Sequence, residues 1–342
     1  MKHKPQSLTF RMLGLLAAVF AVTGAQKAAP LIFAAQPTQE PAGSAAPGAA
    51  SEPTQTAAEV LDTVREKLDS LDSLSADLNE TVVMSGSRFL ATGHYTQASG
   101  NRIRLEFQMF PVRSVKASDT QTDGINEDPE DTTELKPTAS LIQVSDGGTL
   151  WTLWNNGGLQ QLNRQDIREI LEAVPQAGSE DATRMLQDLG VGGLHALLAK
   201  LQAVMEFGPV REQTIGQTRF LVLTGRWSDT SLRTFFNATD STSQLPDTVP
   251  EFVRVYVDAD ALLPRRIQYL KKHPDPAQTL VRPLVTLDFR KLTLNEAIPE
   301  DTFVFHAPEG VVEENLTPQV IERIKALANP EPTEQEPADT GQ

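Results

Sequence analysis

The residue types that most often carry catalysis are few in this sequence and far apart. Its five histidines are His3, His94, His195, His273 and His306, and it contains no cysteine. No HExxH metal-binding pair, no GxSxG nucleophile turn and no phosphate-binding glycine loop occurs. A triad assembled from distant parts of the chain stays open, but nothing in the spacing indicates one. The sequence therefore predicts a protein that is not an enzyme and has no cofactor or metal.

Apolar residues at strand spacing give a stronger indication of function. Between Arg102 and Phe110, apolar and polar residues alternate, which is typical of a strand with one buried and one solvated face. The apolar set suits the wall of a cavity for hydrocarbon chains, and it suits ordinary core beneath a helix equally well. The two interpretations differ in whether the helices leave a void. The predicted cavity wall consists of Leu78, Val82, Ile103, Leu105, Phe107, Met109 and Trp151.

Two tryptophans lie close to this predicted wall. Trp151 and Trp154 are an odd number of residues apart, so a strand would direct them to opposite faces. We therefore expect one of the pair to be core.

A leucine-rich helix is predicted to cover the wall. Its apolar residues recur at helical spacing and follow a Gly-Gly pair at 192–193. We expect this helix to pack across the concave face of the sheet, with His195 at its edge. The predicted lid residues are Leu194, Leu197, Leu198 and Leu201.

The remaining periodicity predicts many strands and few helices. In chain order the predicted elements are a helix from Ala57, strands at 74–84, 89–97, 102–110, 139–144 and 149–154, helices near 167–174, 182–189 and 194–201, strands at 218–227, 252–258, 265–271, 280–292 and 302–305, and a helix after 317. Because strand twist accumulates, a sheet this long is expected to curl. The predicted fold class is α+β, a single antiparallel sheet curled into an incomplete β-barrel with helices lidding the concave face.

The N-terminus has the features of a signal peptide. Basic residues precede an uncharged apolar stretch at 12–22, and small residues follow at 23–25. The stretch is shorter than the ~20 apolar residues of a membrane-spanning helix, so we favour export to the periplasm over an uncleaved anchor. A second apolar stretch at 28–35 leaves the cleavage site open between positions 25 and 35.

Composition divides the chain into four parts. These are a signal peptide at 1–35, a Pro- and Ala-rich disordered linker at 36–56, a folded domain at 57–312, and a C-terminal helix with a disordered tail at 313–342. The folded domain includes an acidic insertion at 117–137 and a helical lid region at 164–205. The acidic spacing does not match an EF-hand, so a solvated insertion is favoured over a calcium loop.

The charge balance excludes several classes of partner. The chain carries 45 acidic against 30 basic side chains, a formal net charge of -15. Such a surface repels nucleic acid and lacks the basic clusters that dock on anionic membranes. With no cysteine, the chain also has no disulfide, no thiolate metal site and no lipid-modified cysteine.

Four short motifs resemble the LolA-like family of outer-membrane lipoprotein carriers. VSDGGTLW at 144–151 is similar to the family's vSDGkTLW hairpin, and LDSLSADL at 71–78 to its opening helix-to-strand passage. LLPRRI at 262–267 and FVFHAPEGV at 303–311 resemble its late turn and its closing segment. The resemblance covers most of the folded domain. It implies a half-open β-barrel whose helices close a hydrophobic cavity for the acyl chains of lipoproteins or other lipids.

The sequence departs from the family in two places. The proteobacterial carriers have an Arg-Pro pair before the third strand, and its arginine latches the lid, whereas residues 98–100 here read ASG. The resemblance therefore implies that the latch is missing or rebuilt. The acidic insertion and the helices between 167 and 189 are also atypical.

Two hypotheses of function follow from these features. The first is a periplasmic carrier that holds lipid or lipoprotein acyl chains in a hydrophobic cavity and has no membrane span when mature. The second is a periplasmic sensor or regulatory module on the same fold, contacting an envelope protein through the C-terminal helix around Ile321 and Ile324. A hydrolase ranks third.

Overall fold

The computed structural model describes residues 55–84, 87–112, 136–177, 192–236, 245–273 and 281–328. The predicted signal peptide, most of the linker and of the acidic insertion, the predicted helix at 182–189 and the C-terminal tail lie outside these residues. Within the described ranges, no helix is both long and apolar enough to cross a membrane.

Thirteen strands and five α-helices make up the described fold. In chain order they are α1 (Ala57–Asp69), β1 (Ser73–Met84), β2 (Ser87–Ala98), β3 (Arg102–Val112), β4 (Ala139–Asp146), β5 (Thr149–Asn156), β6 (Leu159–Asp166), α2 (Ile167–Ala177), α3 (Gly193–Val204), β7 (Met205–Phe207), β8 (Arg211–Ile215), β9 (Thr218–Trp227), α4 (Asp229–Phe236), β10 (Phe252–Asp258), β11 (Leu263–Lys272), β12 (Val281–Leu294), β13 (Glu313–Asn315) and α5 (Thr317–Ala328). A short 3₁₀ helix at Glu300–Phe303 precedes β13.

All thirteen strands belong to one sheet. Its order is β13-β6-β5-β4-β3-β2-β1-β12-β11-β10-β9-β7, and β8 also pairs with β9. Neighbours are antiparallel except for the parallel pair of β13 and β6. In the described part of the chain, the sheet has two free ends, at β13 and β7, so it does not close. The predicted fold class, an α+β incomplete β-barrel, is confirmed.

The pairing of β1 with β12 joins the two halves of the sheet. It places Leu78 opposite Phe289 and Val82 opposite Val285, and all four side chains belong to the main apolar core. Because these strands are about two hundred residues apart along the chain, their register is set by which face each strand buries rather than by a turn.

Two helices pack on the concave face of the sheet. Helix α1 begins with a capping box in which Thr56 Oγ1 accepts from the Glu59 amide and the Glu59 carboxylate accepts from the Thr56 amide. Its buried stripe packs against α3, and both helices contribute to the main core beneath them. The predicted amphipathic helix from Ala57 and the predicted leucine-rich helix are therefore present.

The chain after β12 returns across the convex face. Arg104 donates to the Thr302 carbonyl at 3.1 Å, and the Arg102 guanidinium lies 5.3 Å from the centre of the Phe303 ring. The predicted last strand at 302–305 is wrong. After Pro299 the backbone forms a 3₁₀ turn, with the Thr302 amide bonded to the Pro299 carbonyl, and Phe303 is buried.

Gly93 permits close packing of β2 against β3. It lies between Leu78 and Phe107 in the strand register. A Cβ atom at this position would overlap the backbone carbonyl oxygen of Glu106 and lie 2.8 Å from the Phe107 ring. Backbone atoms cannot rotate out of the way, so this position requires glycine.

We expect Gly93→Ala to lower the free energy of unfolding by about 1–3 kcal/mol, the usual cost of overpacking. Thermal denaturation should then show a fall of about 2–4 °C in Tm per kcal/mol. The matched control is Gly208→Ala, where the nearest atom to an added Cβ is a carbonyl oxygen 3.8 Å away. Equal Tm values for the two variants would contradict the close approach at Gly93.

Candidate functional site: an apolar cavity beneath helix α3

The elements on the concave face leave an apolar cavity against β9, β11 and β12. Its volume is about 190 Å³. Helix α3 supplies one wall through Leu197, Leu201 and Val204, and Tyr269 and Val285 of the sheet lie among the other lining residues. A partly open space with so apolar a lining suits hydrocarbon rather than water, since an ordered water needs two to four polar partners.

Three aromatic side chains form another wall of the cavity. Trp227 at the end of β9 lies edge-on to both rings of α4, with centroids 6.2 Å from Phe235 and 5.2 Å from Phe236. Edge-to-face arrangements of this kind stabilise aromatic clusters by about 0.5–1.5 kcal/mol per pair. The indole N–H is satisfied by donating to the Pro250 carbonyl at 2.7 Å.

The segment 245–250 closes the cavity beside this cluster. Lys271 of β11 is buried, and its Nζ donates to the carbonyls of Leu245, Pro246 and Val249 at 2.8–3.1 Å. An ammonium group has three donors, so these three carbonyls satisfy it completely. A single lysine thus fixes the loop, and Val249 and Pro250 line the cavity.

Helix α3 is attached to the sheet at both ends by different means. At its start, the Leu194 amide donates to the Tyr95 hydroxyl at 3.2 Å, and this hydroxyl donates to Gln97 at 2.6 Å. Gly193, at φ +57°, lies so close that a Cβ would overlap the Tyr95 oxygen. At its end, the chain continues directly into β7, which forms a backbone ladder with β9.

Polar contacts also join α3 to α1. Gln202 donates to Asp62 at 3.0 Å and accepts from Arg65 at 3.2 Å. His195 Nε2 lies 3.3 Å from Asp69. Burial lowers the pKa of His195, against the opposing effect of Asp69, so the imidazole is neutral at neutral pH. These contacts hold the two helices together as a pair.

Glu80 is a carboxyl group on the largely apolar concave face. In the strand register it lies between Ala91 of β2 and Leu287 of β12, both buried core residues. Its side chain is 1 % exposed, and its Oε1 has no hydrogen-bond partner among the described residues. Burial raises the pKa of Glu80 to about 8, so it is largely protonated at neutral pH.

The structure places the predicted cavity wall in two locations. Most of its members belong to the main core and do not line the cavity; these are Leu78, Val82, Ile103, Leu105, Phe107 and Met109. Trp151 lies on the convex face, where its ring stacks on Phe305 with centroids 5.8 Å apart. The expected opposite orientation of the tryptophans holds, because Trp154 packs against the main core.

The predicted lid residues separate along α3. Leu197 and Leu201 line the cavity, whereas Leu194 and Leu198 are buried in the core beside it. The predicted lid region 164–205 also contains the end of strand β6, and α2 packs against α5 rather than against α1. Of the described residues in this region, those lining the cavity belong to α3 and to Met205, which follows it.

The two residues predicted to contact a protein partner differ in exposure. On α5, Ile324 is completely buried where the helix packs against α2, whereas Ile321 is half-buried. Only the Ile321 side of this helix is therefore accessible for such a contact.

A polar cleft of about 330 Å³ lies on the convex face between β1–β3 and residues 296–302. It contains His94, whose Nδ1 lies 3.1 Å from Asp77. The nearby Ser75 hydroxyl donates to Thr96 at 3.4 Å. In the described part of the chain, the serine is therefore bonded to a threonine rather than to the histidine, an arrangement that does not activate a nucleophile.

Comparisons with known proteins give matches at the level of structure. No family model and no curated protein matches the sequence. A protein described as an outer membrane lipoprotein-sorting domain, from Vibrio parahaemolyticus, is 12% identical, with a TM-score of 0.30 over 72% of this chain and 94% of its own. The chain is similar to LolA-like proteins. This agrees with the resemblance seen in the sequence motifs.

Two further solved structures show the range of these similar proteins. Lipoprotein LppX of Mycobacterium tuberculosis is 13% identical, with a TM-score of 0.30 over 72% of this chain and all of its own. MucB, in the MucA/MucB complex of Pseudomonas aeruginosa, is 12% identical with a TM-score of 0.30, and this chain covers 60% of it. Similarity this distant carries no information about ligands or residue roles, which are argued below from this chain.

The raised pKa of Glu80 predicts that stability depends on pH. Between its ordinary value of 4.5 and about 8, the folded chain keeps a proton that the unfolded chain has lost. This group therefore lowers the free energy of unfolding as pH rises through that range and adds no further change above it. Glu80→Gln should stabilise the protein by a few kcal/mol at pH 8.5, since one pKa unit corresponds to about 1.4 kcal/mol.

Urea denaturation at pH 4.5 and pH 8.5 measures this effect. The gain from Glu80→Gln should be large at the higher pH and small at the lower one. Glu106→Gln is the control, because this carboxylate lies on the convex face and is paired with Arg104. A gain from Glu80→Gln that is the same at both pH values would contradict the raised pKa.

Proposed function

We propose that this chain is a periplasmic binding protein that holds the acyl chains of a lipid or lipoprotein in the cavity beneath α3. The observation that carries this proposal is an apolar cavity bounded by one helix, an aromatic cluster and a fixed loop. Its lining is mainly Leu, Val, Met, Phe and Trp. Such a site provides burial without directional contacts, which is the property that a carrier of hydrocarbon needs.

The energetics favour acyl chains as ligands. Each methylene group moved from water into an apolar cavity contributes about 0.8 kcal/mol. An engineered apolar cavity of about 150 Å³ in another protein binds benzene, so the 190 Å³ cavity accommodates a short hydrocarbon segment as it stands. Sites for larger ligands measure about 300–1,000 Å³. A full acyl chain therefore requires the cavity to widen.

Movement of α3 would widen it. The contact of the helix start with the sheet depends on the Tyr95 hydroxyl, whereas its end is held by the β7–β9 ladder. We infer that the start of α3 moves away while its end acts as the hinge. In this proposal the Tyr95 hydroxyl, which is bonded to Gln97, holds the start of α3 against the sheet. It takes the place of the arginine latch that the sequence lacks.

Location and partners follow from the same proposal. The signal-peptide features and the acidic surface fit a protein exported to the periplasm, and the cargo would be passed between envelope proteins. We propose no catalytic step: in the convex-face cleft, the Ser75 hydroxyl is bonded to Thr96, and His94 contacts Asp77.

Leu201→Glu is expected to weaken ligand binding strongly. The substitution places a charge in the apolar cavity, so affinity for a dansyl-labelled undecanoate should fall at least about tenfold. Ala203→Glu is the control, since Ala203 is exposed on the same helix. Dansyl fluorescence measures binding, and circular dichroism confirms that both variants fold. Equal affinity of the two variants would reject this cavity as the binding site.

Tyr95→Phe tests the attachment of the lid. It removes the hydroxyl that accepts from the Leu194 amide while keeping the ring in the core. We expect the dansyl-undecanoate association and dissociation rates, measured by stopped-flow fluorescence, both to rise several-fold. The loss of a hydrogen bond of about 1 kcal/mol accounts for this size. Unchanged rates with a lowered Tm would indicate a purely structural role for the hydroxyl.

A further inference from the structure

A buried carboxyl group, that of Glu80, lies on the inner surface of the sheet beside the apolar cavity. Glu80 lies opposite Leu287, and the next inward-facing residue of β12 is Val285, which lines the cavity together with Tyr269. Diagonal neighbours on antiparallel strands are about 7–8 Å apart, within reach of a long side chain. The two side chains are also close enough to interact electrostatically. Burial raises the pKa of Tyr269, and the negative charge of ionised Glu80 raises it further.

A buried carboxyl group in this position destabilises the fold unless it forms hydrogen bonds. Burying a polar group without a hydrogen bond destabilises a protein by roughly 1–3 kcal/mol. Oε1 of Glu80 has no partner among the described residues, and its strand neighbours Leu78 and Val82 are apolar. A leucine at this position would continue the core. The unsatisfied carboxyl therefore indicates a hydrogen-bonding ligand.

We propose that the ligand is an amphiphile with an uncharged hydrogen-bonding group, a hydroxyl or a carbonyl, which lies against Glu80 and Tyr269 while its hydrocarbon part fills the cavity. This inference rests on the proposed function and adds the chemical class of the ligand. Glu80 is then a binding residue, and the cavity distinguishes a lipid with a polar group near its buried end from a plain hydrocarbon chain.

The group is uncharged for a physical reason. Burial keeps Glu80 protonated at neutral pH, so it both donates and accepts a hydrogen bond. A cationic ligand would first require the carboxyl to ionise in an apolar site. A hydroxyl or an ester or amide carbonyl bonds to the neutral acid directly, and the Tyr269 phenol offers a further donor and acceptor.

Matched probes small enough for the cavity test this proposal. Toluene, benzyl alcohol and benzylamine share one ring and differ in carrying no polar group, a hydroxyl or a cation. Affinities are measured by NMR titration of the full mature chain, its Glu80→Leu and Glu80→Gln variants, and the exposed-site control Glu212→Leu. Binding of dansyl-undecanoate is measured in parallel.

We expect the affinity of benzyl alcohol relative to toluene to fall about two- to twelvefold in Glu80→Leu, the equivalent of one hydrogen bond. Glu80→Gln, which also donates and accepts, and Glu212→Leu should keep the wild-type ratio. An unchanged ratio in Glu80→Leu would overturn this inference while leaving the carrier proposal intact. A preference for benzylamine that depends on Glu80 would overturn it in favour of a cationic ligand. If neither toluene nor dansyl-undecanoate binds, the proposed function itself fails and this inference with it.

Discussion

The fold depends on how helix α3 crosses the concave face. Its start contacts Tyr95 on β2 and its end continues into β7. Twelve helical residues span about 18 Å, whereas the six strand spacings from β2 to β7 add up to roughly 29 Å along the sheet. The helix is therefore shorter than the path along the sheet between its two attachment points, so the sheet must curve for both ends of the helix to reach it. The curvature of the sheet and the cavity beneath α3 both follow from this geometric constraint.

The same constraint explains why the filling is incomplete. A helix is about 10–12 Å wide, so α1 and α3 side by side leave space along β9–β12. Smaller elements occupy that space: the aromatic rings of Trp227, Phe235 and Phe236, and the segment 245–250, which Lys271 fixes by its three carbonyl contacts. The volume that these elements leave unfilled is the cavity.

Local sequence patterns predicted most strands and helices correctly but did not predict which residues line the cavity. The structure contains the elements that have a strong local pattern: the alternating strand β3, the hairpin with Asp-Gly-Gly at 146–148 and the leucine-rich helix α3. Strand β6 reads LQQLNRQD and carries almost no apolar alternation, so its place in the sheet comes from its neighbours. Which of the two tryptophans faces the core depends on the register with β4, which pairs Trp151 with Val144 and Trp154 with Leu141, opposite Phe107. The cavity residues come from six separate elements and a loop, and no local period can bring them together.

The buried position of Glu80 could have been predicted from the local pattern of β1. The inward positions of β1 read Leu74, Ala76, Leu78, Glu80 and Val82, so period two alone places one carboxyl on the buried face. Where a sequence otherwise matches its fold, a residue that breaks the pattern is often found at a functional site. Here the departure adjoins the region that α3 leaves unfilled. The curved sheet and the short helix create an apolar space, and Glu80 lies diagonal to Val285 at its edge. In our proposal this carboxyl supplies the hydrogen bond that the apolar space alone cannot offer a ligand.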